Sequence, residues 1–65
     1  MTYTVQQDGP EFYILDENHE TVGYARAPDH LSPVHDYDLK GARLARKWFE
    51  EVAAPQLGIA DNYTF

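Results

Sequence analysis

A chain of 65 residues with a formal charge of −6 has room for one domain and a thin core, because a chain this short buries only about 60% of the surface it exposes when unfolded. Having no cysteine, it forms no disulfide, no thiolate metal site and no cysteine nucleophile. No apolar run approaches the roughly 20 residues that cross a bilayer, and Met1 to Thr4 lacks the basic and apolar parts of a secretion signal, so a cytoplasmic protein is expected.

Tyr3 and Val5 alternate with Thr4 and Gln6, the period of a strand with one buried face, over about residues 3–7. Asp8-Gly9-Pro10 breaks it. In 11–16, Phe12 and Ile14 fall on one side and Tyr13 and Leu15 on the other, so this strand is apolar on both faces and expected to be central. A third strand follows over 21–26, with Val22 and Tyr24 expected inward. The polar break Asp16 to Glu20 suits a tight hairpin in which Asn18 or His19 takes the positive φ that glycine would otherwise supply.

Residues 27–35 have the composition of a loop, with Pro28, Asp29, Ser32 and Pro33, and Ser32-Pro33 is a place for a short helical turn. The main helix is expected over about 36–54, opening near Asp36 or Asp38, either of which can accept from the exposed N–H groups of the first turn. Ala42, Ala45, Trp48, Phe49 and Val52 form its apolar stripe. Pro55 should stop or bend the helix near Ala54, and Gly58 should finish any extra turn. In the tail, 55–65, Ile59, Tyr63 and Phe65 can dock, with an edge strand over 63–65 as one form. The expected fold is α+β: a three-stranded antiparallel sheet followed by one amphipathic helix packed on it, then the tail, as a single domain over 1–65.

Charge is unevenly spread. Eight acids up to Asp38 stand against Arg26 alone, leaving −7, while from Leu39 onward four cations against three acids leave +1. His30 and His35, flanked by Asp29 and Asp36, fit no strong metal template, and a solvated turn is the simpler account, so no metal or cofactor is expected. No nucleophile elbow surrounds Ser32, and the four glycines are too scattered to cradle a phosphate, so no enzyme is expected either. Lys40, Arg43, Arg46 and Lys47 suit the wet face of a helix, with Arg46 and Lys47 four residues before Glu50 and Glu51, and an overall negative charge is repelled by nucleic acid.

What remains is a row of acids. Acidity serves solubility in many small proteins. Alternate strand positions, about 6.6–7 Å apart, also let carboxylates stand in for a phosphate backbone against a basic protein surface. Asp8, Glu11, Asp16, Glu17, Glu20, Asp29, Asp36 and Asp38 are the candidates for such contact, with Tyr13 or Tyr37 as an apolar anchor.

A tiny, cysteine-free, acidic chain of short strands and one helix resembles the small phage-encoded inhibitors of bacterial defence, notably anti-CRISPR proteins, several of which mimic DNA. The likeness rests on size, on the acidic segment Asp8 to Asp38 and on the helix Asp36 to Ala54, without a shared motif, and the basic helix face departs from it. It implies a monomeric or homodimeric inhibitor in the host cytoplasm, whose partner is a protein with a basic nucleic-acid-binding surface such as a CRISPR effector complex. The alternative is an accessory or regulatory interaction module, as a homodimer or otherwise.

Overall fold

The computed structural model describes residues 2–31 and 38–65. Strands β1 (Tyr3–Asp8), β2 (Glu11–Leu15) and β3 (Thr21–Arg26) form an antiparallel meander, and β4 (Tyr63–Thr64) adds parallel to β1, so that the order across the sheet is β3-β2-β1-β4. β2 is interior, as its two apolar faces require. Gly9 carries φ 61° in the two-residue β1–β2 turn, which places glycine at the first central position that such hairpins favour. In the β2–β3 turn His19, not Asn18, takes the left-handed conformation, at φ 61°. Asp16 Oδ1 organises that turn by accepting from the backbone N–H groups of Asn18 (2.8 Å) and Glu20 (3.0 Å).

The facing of β3 corrects the sequence expectation. Phe12 and Ile14 lie opposite Ala25 and Gly23, and directly opposed residues share a face, so it is Gly23 and Ala25 that turn toward the core. Tyr24, opposite Tyr13, points the other way and is 48% exposed, whereas Val22, 55% exposed, borders the helix side of the sheet. An irregularity between Ile14 and Leu15 leaves Val22 as an extra residue. That bulge and the nearby Pro28 blunt the outer edge of β3 against pairing with another chain.

A single helix, α1 (39–57), packs on one face of the sheet. Asp38 is its N-cap, with Oδ1 accepting from Gly41 N at 2.8 Å; Asp36, the other candidate start, lies outside the described residues, as do Ser32, Pro33, His35 and Tyr37. Before the helix, a short 3-10 turn spans Asp29–Leu31.

The helix does not stop at Ala54. Proline lacks the N–H of the helical ladder and its ring crowds the carbonyl four residues back; here a π turn, Phe49–Ala53, lies just ahead of Pro55 and opens the coil where that crowding would arise. The chain then continues helical through Leu57 until Gly58, at φ 75°, closes it. The wide turn also shifts the buried stripe. Gly41, Ala45, Phe49, Ala53 and Ala54 are buried, Ala42 and Trp48 are half-buried, and Val52, expected inward, is exposed.

The core is aromatic. Phe12 and Phe49 are fully buried and stack with centroids 4.7 Å apart, while Tyr63 and Phe65 from the tail meet the Phe49 ring edge-on at 5.4 and 5.7 Å. Val5, Ile14, Ala27 and Ile59 complete it. Gln7 ties helix to sheet: its amide donates to Ala42 O at 3.1 Å and to Gly9 O at 3.2 Å. Among the described residues no helix is long and apolar enough to cross a membrane.

Candidate functional site

The register of the sheet divides the acidic candidates between its two ends. Asp8 and Glu11 face each other at the Gly9-Pro10 turn, whereas Asp16, Glu17 and Glu20 surround the β2–β3 turn. Five residues along β2 separate the two groups, about 17 Å at the usual rise per residue, so they do not form one row.

At the Gly9-Pro10 end the charges are spent locally. Glu11 Oε2 accepts from the Tyr13 hydroxyl at 2.9 Å, and Oε1 accepts from the Tyr24 hydroxyl at 3.1 Å and from Arg26 Nη1 at 3.2 Å. These donors, the Tyr13 hydroxyl foremost and then that of Tyr24, with Arg26 adding to them, hold the Glu11 carboxyl below its usual range. The same bond raises the Tyr13 phenol, because the neighbouring carboxylate resists a second negative charge. Ala27 N donates to Pro10 O at 2.8 Å, which brings the chain running on to Asp29 to this end; the 3-10 turn there packs against the start of α1, where Asp38 is occupied as a cap. Four acidic candidates therefore share this end with Arg26 and the first helical cations, Lys40 and Arg43.

The other end is different. Asp61, in the turn before β4, joins it because Tyr3 N donates to Asn62 O at 2.7 Å beside the Thr4–Leu15 pair. Neither 16–22 nor 58–64 contains a Lys or Arg. The nearest helical cation along the chain, Lys47, lies ten residues before Leu57, about 15 Å along the helix, which exceeds the roughly 8 Å screening length at physiological salt. Arg46 is held elsewhere, bonded to Glu50 at 3.4 Å and 4.0 Å above the Phe65 ring. Asp16, Glu17, Glu20 and Asp61 thus lie at one end of the sheet, its anionic end, and among the described residues no Lys or Arg side chain forms an ion pair with any of them.

Between the two ends runs the uncovered face of the sheet, where Tyr13 and Tyr24 pack at 5.4 Å between centroids. On the helix side, at the anionic end, a groove of about 220 Å³ lies between the sheet and the end of α1. Among the described residues no group of three His, Asp or Glu is placed to hold a metal; His19 and His30 are exposed, and His35 lies outside those residues.

Sequence reasoning missed Tyr24, Arg26 and Asp61. For the first two, counting outward from the turn sets Tyr24 against Phe12 and Ala25 against Glu11; the extra residue at Val22 is what brings Tyr24 to Tyr13 and Arg26 to Glu11. Asp61 had no signal in the sequence, because its position depends on a parallel pairing between the two ends of the chain. Set against family models, curated proteins and solved structures, this chain matches none of them, so the chemistry of the site is read from its own residues.

Proposed function

We propose that the chain is a non-enzymatic binding protein whose partner presents a basic, nucleic-acid-binding surface, with the anionic end of the sheet standing where phosphates would. The carrying observation is that Asp16, Glu17, Glu20 and Asp61 lie at one end of the sheet and, among the described residues, none of them is ion-paired to a Lys or Arg. An unneutralised cluster on a hydrogen-bonded turn keeps its charges at fixed spacing, steers a basic partner and excludes an acidic one. The Tyr13–Tyr24 pair, on the uncovered face between the two ends, supplies aromatic area of the kind that anchors interfaces. The inhibitor resemblance makes a CRISPR effector complex the first partner to test.

In the test, Glu17→Lys with Asp61→Lys is compared with Asp8→Lys with Asp29→Lys. Both double variants change the charge equally. The first is expected to abolish capture of the effector complex at low salt, and the second to change affinity by about threefold or less, the range of a peripheral charge. The wild-type protein and DNA should weaken each other's binding by the same factor. Simultaneous binding without mutual weakening would exclude mimicry. A second reading, an accessory module that uses the uncovered sheet face in a homodimer, is favoured by the exposure of Tyr24; it predicts concentration-dependent association that the Glu17 and Asp61 changes leave intact.

A further inference from the structure

The groove at the anionic end has an unusual floor. Gly23 sits in the middle of β3, where a residue with a side chain would strengthen the strand. Packing does not demand glycine there: a Cβ would meet Ile14 at 3.4 Å, an ordinary contact, and its φ is not left-handed. What the missing side chain does is leave open the space that Tyr3, Ile14, Val22, Leu57 and Ile59 enclose, with Asp16 at its margin. A glycine inside a strand marks a bulge or a close approach of a ligand or backbone, and Gly23 both adjoins the bulge at Val22 and floors the groove.

At about 220 Å³ the groove is smaller than the roughly 300–1,000 Å³ of small-molecule sites and suits a single large side chain. Its walls are mostly aliphatic. Its margin is negative: one Asp16 oxygen is committed to the turn, the other carries no hydrogen bond among the described residues, and Glu17 and Glu20 belong to that same turn. Arginine matches both features. Its methylene stem packs on apolar surface while the guanidinium meets a carboxylate, and that planar head also stacks on an aromatic ring, here Tyr3.

We propose that this groove is a subsite for one arginine side chain of the partner, its stem against Ile14, Val22, Leu57 and Ile59 and its guanidinium on Asp16. The assignment deepens the basic-partner reading and rests on it, but the test needs no partner. Blocked arginine amide is titrated into the whole protein and followed by backbone and methyl NMR, with blocked norleucine amide as the apolar control. The arginine probe should shift Tyr3, Ile14, Val22, Gly23 and Leu57 with a dissociation constant on the order of 1 mM, and the norleucine probe at least tenfold more weakly.

Two variants separate the causes. Asp16→Asn keeps a side-chain oxygen for the turn and removes the charge, and should weaken the arginine probe about tenfold or more. Gly23→Val fills the floor, and should abolish binding while leaving the melting temperature equal or higher. Equal binding of the two probes, shifts confined to other residues, or unchanged binding by both variants would each overturn the assignment. If the probe binds but no basic partner competes with it, the subsite stands and the partner reading fails; if a partner binds through Glu17 and Asp61 while the probe does not, the reverse holds.

Discussion

The two ends of the sheet hold the same kind of residue and use it differently. At the Gly9-Pro10 end, Glu11 is bonded by Tyr13, Tyr24 and Arg26, Asp38 caps α1, and Gln7 joins strand to helix. At the β2–β3 end, one oxygen of Asp16 serves the turn, and among the described residues no cation pairs with Asp16, Glu17, Glu20 or Asp61. An acidic residue is structural or available according to the donors its neighbours bring. Position along the chain does not decide this, since Glu11 and Asp16 are on the same strand and its margin.

Both ends stand on one core, and the scale of the comparison is set there. Phe49→Ala removes the ring that contacts Phe12, Tyr63 and Phe65, and should cost about 3–5 kcal/mol in urea unfolding, enough to leave a domain of this size largely unfolded. A loss below about 1 kcal/mol would mean that the tail and helix are not held by that cluster.

The next effect distinguishes the ends directly. Asp38→Ala removes the acceptor for Gly41 N and should destabilise by about 1 kcal/mol. Glu17→Ala, at the anionic end, should stay within about 0.5 kcal/mol. Equal costs in chemical denaturation would erase the division between spent and unspent acids.

The smallest effect is a matter of pH. Because its neighbours lower the Glu11 carboxyl in the folded protein, the folded form holds fewer protons than the unfolded one. The stability this lends is therefore complete above about pH 4.3, the ordinary glutamate value, and is lost as pH falls through the lowered folded value. Glu11 is half-buried and its partner Arg26 is half-exposed, so water screens the pair and the contribution is small. Glu11→Gln should flatten that part of the acid limb in urea unfolding repeated across that pH range.

Much of the fold was legible because local rules are strong in a short chain. The alternation in 3–7 and 11–16, a positive φ at Asn18 or His19, a cap at Asp36 or Asp38 and Gly58 as a terminator all follow from nearest neighbours. The errors came where two segments meet. Tyr24 looked inward because a lone strand pattern does not say which of its faces is covered; the extra residue at Val22 sets Tyr24 opposite Tyr13 on the uncovered face and leaves Val22 itself exposed at the groove. Val52 was misplaced for a similar reason: a π turn ahead of Pro55 shifts a stripe that a regular helix would have kept in phase. The acids were countable in sequence, but their division into two ends was not.

By itself, then, the sequence determined the element types and most of their boundaries, the aromatic makeup of the core and the excess of carboxylates before the helix. Backbone dihedral preferences, side-chain periodicity and capping act within a few residues, and those are written in order along the chain. Which acids are neutralised, where a groove opens above Gly23, and how Asp61 comes to lie beside the β2–β3 turn were decided only in three dimensions. Charge screening and packing depend on distances through space, and the pairing of β4 with β1 joins residues sixty positions apart.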